Sequence, residues 1–270
     1  MDDIARAFLH SPKPMMMTHV VAGYPDLDRS RETVEAMAAA GAGMIEIQIP
    51  FSDPIADGPV ITAANRAALA GGTRPADVLR MIRGLKTSLA LPLLVMTYAN
   101  IPYRMGLERF AAACAEAGAA GAIIPDLPAD EFAVSPARLF VRRGVALIPV
   151  LSPGMAKRRI RRVLESATGF AYVTLRTGTT GVRSRLAGPG LSFLDRLRRE
   201  TALPLAAGFG ISEPGHVRAL RGKADAVVIG SHLIRLRDEG GVKVVADFLR
   251  RCRRERDADR LEPVERENAL

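Results

Sequence analysis

The chain has 270 residues, 48% of them hydrophobic and 25% charged, with 38 Lys and Arg against 29 Asp and Glu for a formal charge of +9. That length suits one large barrel or two smaller domains, and no apolar run is long enough to suggest a membrane span. Trp is absent and the basic clusters at 157–162 and 250–254 carry no aromatic residue for base stacking, so nucleic-acid binding is not indicated.

The opening stretch, MDDIARAFLHSPKP, lacks the basic-then-apolar order of a secretory signal. A short apolar run at 16–21 then leads into the turn GYPD at 23–26 and a helical pattern over 30–40. A second apolar run at 44–49 is followed by a Pro/Asp/Gly loop at 50–58 and helical stretches over 61–70 and 76–85. The rhythm continues with strand 92–97 and helix 107–117, strand 120–124 and helix 129–143, and strand 146–150 and helix 156–167. Strand 170–174 precedes the loop 175–189 and helix 191–199; strand 203–206 precedes helix 213–220, and strand 224–229 precedes the last helical material. Eight strand–helix pairs with nearly continuous apolar strands predict helices covering a parallel sheet. The early turn AGYPD does not supply the GxGxxG of an open dinucleotide-binding sheet, so the expected fold is a single-domain α/β (β/α)8 TIM barrel. The barrel is expected to fill 1–249. Residues 250–270, where the basic cluster runs into Glu255, Asp257, Asp259, Glu262, Glu265 and Glu267, are expected to form a charged, frayed helical tail.

In such a barrel chemistry gathers where strands end and the following loops begin. Alternation along 44–49 puts Ile45, Ile47 and Ile49 on one face, toward the helices, and leaves Glu46 and Gln48 facing the barrel mouth. A carboxylate in an apolar strand is costly unless paired, hydrogen-bonded or protonated, so Glu46 is a candidate proton-transfer group, or else the partner of an inward base. Asp57 lies on the loop above the same mouth, although its place before Gly58-Pro59 also suits a helix cap. Two carboxylates in such different settings can divide acid and base roles. Asp53 reads equally well as a turn residue or a functional one. Tyr172 lies near the end of the sixth expected strand and presents an aromatic face, and Arg176 or Arg183 on the next loop offers a charge for an anion. Gly208-Phe209-Gly210 and Gly230-Ser231 follow the seventh and eighth expected strands, where loops and a helix N-terminus commonly hold phosphate. No Lys at a strand end offers a Schiff base, and His10, His19, His216 and His232 lack close metal spacing. Cys114 and Cys252 fall in helix-like stretches, which fits a reducing, cytoplasmic compartment. The residues therefore describe a metal-free acid/base lyase or isomerase that handles a small phosphorylated molecule.

Several of these segments carry a more specific likeness. EIQIPFSDPIADGP at 46–59, NRAAL at 65–69, MTYAN at 96–100, PDLP at 125–128, RTGTTG at 176–181, GFGIS at 208–212 and GS at 230–231 form an ordered set that resembles the tryptophan synthase alpha chain family over about 16–234. The resemblance implies a barrel that cleaves indole-3-glycerol phosphate to indole and glyceraldehyde 3-phosphate. It implies a beta-chain partner that carries pyridoxal phosphate, while the chain itself has no cofactor. It assigns Glu46 as the acid/base at indole C3, Asp57 as the carboxylate on the indole N–H, and Tyr172 as an active-site aromatic. Gly181, Phe209, Gly210, Gly230 and Ser231 fall at phosphate-binding positions. The loop 50–58 would face the partner and the loop 176–184 would close over substrate. The chain departs from the pattern at Gln48, where Gly is usual, and at Thr62, Leu175, Thr179 and the segment PGMA at 153–156. Those departures leave three readings: the family lyase, a barrel lyase for another phosphorylated substrate, and a non-catalytic subunit that regulates a beta partner.

Overall fold

A computed structural model describes residues 2–127, 136–174, 189–208 and 210–267. The strands are β1 Met15–Val21, β2 Met44–Gln48, β3 Leu93–Met96, β4 Gly121–Ile123, β5 Ala146–Ile148, β6 Val150–Leu151, β7 Ala171–Thr174, β8 Leu205–Gly208 and β9 Ala226–Ile229. The helices are α1 Asp3–His10, α2 Leu27–Ala39, α3 Pro59–Ala70, α4 Pro75–Lys86, α5 Asn100–Met105 and α6 Leu107–Glu116. They continue as α7 Pro136–Arg142, α8 Lys157–Ser166, α9 Pro189–Glu200, α10 Pro214–Ala219 and α11 Ser231–Glu267.

All strand pairs are parallel, in the order β5-β4-β3-β2-β1-β9-β8-β7-β6. The two ends of that order, β5 and β6, are separated only by Pro149, so the nine segments are eight strands with the fifth interrupted, and the ring closes through the chain itself. Proline has no N–H to give the ladder. Its carbonyl still accepts from the Tyr172 N–H at 2.9 Å, which keeps the strand in register.

Side-chain alternation sorts the core into two layers. Ile45, Ile47, Ile49 and Val95 face outward into a large cluster with Val34, Met37, Val78 and Ile82 of the helices. Met15, Met17, Met44, Leu94, Met96, Ile123, Ile148 and Phe170 point inward and fill the barrel. The N-terminal end of the barrel is plugged by α1, an element the strand–helix rhythm did not predict. Asp2 caps it by accepting from the Ala5 N–H at 2.7 Å, and Ile4 and Phe8, one turn apart, are buried in the barrel interior. The Phe8 and Phe170 rings lie 5.5 Å apart. Gly121 makes room for the plug, since a Cβ there would stand 2.9 Å from the Ala146 carbonyl oxygen and 3.3 Å from Ile4 Cδ1.

The basic residues of α8 are exposed while Ile160 and Val163 are buried, so this cluster is the solvated face of a barrel helix. The last helix changes direction at Gly240 and Gly241 and runs on to Glu267, burying Cys252 completely. Cys114 and Cys252 are both free, and burial pushes each thiol up to about 12. No helix among the described residues is long and apolar enough to cross a membrane.

Candidate active site

The polar residues collect at the C-terminal end of the strands, and β1 and β2 supply the deepest of them. Glu46 and Gln48 follow Met44 on the inward face of β2, and His19 follows Met15 and Met17 on the inward face of β1. The β1–β2 register puts His19 directly beside Glu46. His19 Nδ1 lies 3.2 Å from Glu46 Oε1, and both residues are buried. Burial by itself depresses the His19 pKa, but the adjacent Glu46 carboxylate, the charge of Asp57 and a hydrogen bond with Gln48 together outweigh it, and the imidazole stands above its ordinary value.

Asp57 hangs over the same mouth from the loop between β2 and α3. It does not cap α3, whose N-cap is Gly58 with no side-chain bond. Instead its Oδ2 accepts from Gln48 Nε2 at 2.8 Å. Gln48 also reaches Asn65 Oδ1 at 3.3 Å, and Asn65 in turn accepts from the Phe51 N–H at 2.9 Å. Tyr98 holds the loop from the other side, its hydroxyl accepting from the Ala56 N–H at 3.1 Å and bonding Asp57, its ring stacked on Phe51. Burial raises the Asp57 pKa, with Glu46 adding to the effect, against the bonds from Gln48 and Tyr98 and the charge of His19. Asp53, by contrast, is exposed and accepts from the neighbouring Ser52 hydroxyl.

Tyr172 lies on β7, on the side opposite β2, with its phenol held well above its ordinary pKa by burial and then by the charges of Glu46 and Asp57. Its ring occupies the space over Gly208, where an added Cβ would come within 3.0 Å of Tyr172 Cε1. Gly210 follows β8 with φ +64°, and Gly230 and Ser231 follow the adjacent strand β9, Ser231 opening α11. Gly230 also backs onto the site, because a Cβ on it would lie 3.6 Å from His19 Cβ. Gly181, Phe209, Arg176 and Arg183 lie outside the described residues, as does the whole loop 176–184 expected to close over substrate.

Glu46 Oε2 makes no hydrogen bond among the described residues, and His19 Nε2 and Gln48 Oε1 make none of good geometry, although the two side chains interact with each other. Buried polar atoms are normally paired, so the unpaired Glu46 Oε2 inside the barrel mouth is an atom open to a ligand. Sequence reasoning placed Glu46, Gln48 and Asp57 here but missed His19 and gave Tyr98 no role. A signal for His19 was present, since it shares the parity of Met15 and Met17. Among the described residues no three His, Cys, Asp or Glu side chains are grouped to hold a metal ion.

A closed parallel barrel with buried carboxylates at the C-terminal mouth defines the class of acid–base enzymes built on this fold. Comparison with known proteins narrows it. The model of the family described as tryptophan synthase alpha chain matches residues 7–258. The tryptophan synthase alpha chain of Syntrophotalea carbinolica is 43% identical over 239 residues, 88% of this chain and 94% of that one. The Desulfotalea psychrophila alpha chain is 44% identical, covering 87% and 92%. Among solved structures, Mycobacterium tuberculosis tryptophan synthase superposes with a TM-score of 0.87 at 28% identity, covering 93% of this chain and 97% of that one. The alpha subunit from Legionella pneumophila gives 0.86 at 29%, covering 96% and 99%. The chain belongs to the tryptophan synthase alpha chain family, and is a lyase of tryptophan biosynthesis.

Proposed function

We propose that this chain cleaves indole-3-glycerol phosphate to indole and glyceraldehyde 3-phosphate, working in the cytoplasm and passing indole to a beta chain that carries pyridoxal phosphate. The observation that supports this best is the pair of carboxylates at one mouth, Glu46 deep in the strand and Asp57 on the loop, close enough for the charge of Glu46 to help raise the Asp57 pKa. In this reading Glu46 protonates C3 of the indole ring and Asp57 stabilises the positive charge through the ring N–H. The C3–C1′ bond then breaks, its electron pair restoring the ring, and the C1′ hydroxyl gives its proton to Glu46 as the aldehyde forms. Tyr172 lines the ring pocket. Gly181, Phe209, Gly210, Gly230 and Ser231 hold the phosphate through backbone donors, the last of them at the start of α11.

The loop 50–58 faces the beta chain, and Ile55 on it is 72% exposed, a large apolar side chain with no cover. The catalytic body in this proposal is 1–249 and the appendage 250–270. Truncation after Leu249 tests that division, since it removes the buried Cys252.

Steady-state cleavage of indole-3-glycerol phosphate with and without a beta chain tests the function. Turnover that rises on adding the beta chain supports it, and no cleavage under either condition rejects it. One observation favours a second reading, a different phosphorylated substrate: the Asp57 oxygen that would accept the indole N–H already accepts from Gln48. Phosphate ions should slow amide exchange at Gly210, Gly230 and Ser231 under either reading, and protection confined to other regions rejects the anion site.

A further inference from the structure

We propose that His19 is the positioning residue of Glu46, and that the two side chains act as one proton-holding dyad in which Oε1 is tied to the imidazole and Oε2 is the oxygen that exchanges protons with substrate. The inference rests on the lyase reading above for its chemistry, but its geometry stands apart from the identity of the substrate.

The two oxygens of the Glu46 carboxyl have different surroundings. Oε1 faces His19 Nδ1 at 3.2 Å, while Oε2 is buried and has no hydrogen-bond partner among the described residues. A carboxyl group left to itself can rotate and offer either oxygen. A histidine donor on one side fixes the rotamer and keeps the opposite oxygen for the reacting carbon. His19 is held in turn by the β1–β2 ladder, and Gly230 packs beside it, since a Cβ there would lie in ordinary contact at 3.6 Å.

The proton balance follows. Glu46 gives its Oε2 proton to C3, and the carboxylate so formed draws the His19 Nδ1–H more strongly onto Oε1, a charge-assisted bond that stabilises the anion. The C3–C1′ electron pair returns to the ring, the C1′ hydroxyl proton passes to Oε2, and the acid is restored with no net proton gained or lost. The charged groups that act on the imidazole are Glu46 from β2 and Asp57 from the following loop. The Gln48 side chain is hydrogen-bonded to the imidazole as well. On the outer side of β1, Tyr24 and Arg237 line a narrow cavity that reaches His19, with Tyr24 bonded to Asp238. Only Glu46 is in ion-pair contact with the imidazole among the described residues.

The test uses the full chain and two independent readouts. Imidazole resonances of histidine-labelled protein, with His19 assigned by its loss in His19→Asn, give its titration without any substrate. In the wild type His19 should titrate above the ordinary histidine range, and in Glu46→Gln it should fall by more than one pH unit. An unchanged titration overturns the dyad. Kinetically, His19→Phe should lower kcat by about 10–100-fold with little change in KM, because the acid is present but poorly placed. His19→Asn, which keeps a donor near Nδ1 but cannot hold the extra proton, should recover part of that loss. The basic limb of the wild-type pH profile should shift in both variants. Wild-type kcat and an unshifted limb in His19→Phe overturn the proposal. A wild-type chain that cleaves no indole-3-glycerol phosphate rejects the lyase reading instead, and the titration still decides the dyad. If His19→Phe fails to fold, as a melting curve would show, the titration and His19→Asn decide alone.

Discussion

The two ends of this barrel are built by the same alternation of side chains, yet the interior is closed by apolar groups at one end and by polar groups at the other. At the N-terminal end, Ile4 and Phe8 of α1 close over an apolar interior. Asp225, just before β9, is met by Lys13 at 2.8 Å, by the Leu205 N–H at 2.9 Å and by Arg198. At the C-terminal end the buried side chains are polar, His19, Glu46 and Gln48, and Glu46 Oε2 makes no hydrogen bond among the described residues. The closed end stabilises the fold, and the mouth carries the stability cost of a preorganised site. Substitutions at the two ends should therefore separate stability from activity.

The largest effect is expected at the mouth. Glu46→Gln keeps the shape of the side chain and removes its exchangeable proton, so turnover should fall by about 10²–10⁴-fold with the melting temperature nearly unchanged. Steady-state cleavage and a thermal melt check both halves. Near-normal turnover would remove Glu46 from the mechanism and erase the contrast between the two ends.

Phe8→Ala is the opposite probe. It opens a cavity under Phe170 and should cost about 3 kcal/mol of stability, while kcat per folded molecule stays at the wild-type value. Urea unfolding gives the first quantity, and assays well below the midpoint give the second. A large loss of kcat in the folded variant would mean that the plug also shapes the mouth.

How far the sequence foretold this contrast depends on whether the signal is local. The inward direction of Glu46 and Gln48 was legible because three isoleucines alternate with them and leave only one face for the polar pair. The barrel was legible from the repeated strand–helix pairs. The partners of Asp57 were not, because Gln48 is nine residues away and Tyr98 comes from the next strand's loop, contacts that only the closed ring creates. His19 was passed over for lacking metal-ligand spacing. Its meaning lies in the β1–β2 register, which no single strand records. The α1 plug is eight residues long, too short for a clear periodic pattern, although Ile4 and Phe8 at i and i+4 behind a capping Asp2 were a readable sign. The break at Pro149 was also readable in principle, since proline interrupts a ladder.

Gln48→Gly sharpens the view of the mouth. Gln48 is fully buried and joins Asp57 to Asn65, so its removal leaves the Asp57 carboxylate short of a donor and loosens the loop that carries it. A stability loss of about 2 kcal/mol is expected, together with lower turnover of indole-3-glycerol phosphate. Higher turnover would show that Gln48 obstructs the indole ring and would strengthen the case for another natural substrate.

The smallest effect is expected at Asp225, where the closed end holds its charged group. Burial pushes this carboxyl up, but Lys13, the Leu205 N–H and Arg198 together outweigh it and hold its pKa below the ordinary 3.8. A carboxyl whose pKa is lower in the folded state binds protons more readily when unfolded. Its stabilising contribution is therefore complete above the unfolded value near 3.8 and is lost as the pH falls through the folded value. Asp225→Asn keeps the shape but not the charge. Lys13 and Arg198 are substantially exposed, at 55% and 40%, so each can regain water and the loss near neutral pH should be only about 1 kcal/mol. Melting temperatures from pH 7 down to pH 3 should then show the wild-type advantage constant at first and shrinking as the acid limit is approached. An advantage that grows on acidification would reverse the sign and show that Asp225 is protonated more readily in the folded barrel than in the open chain.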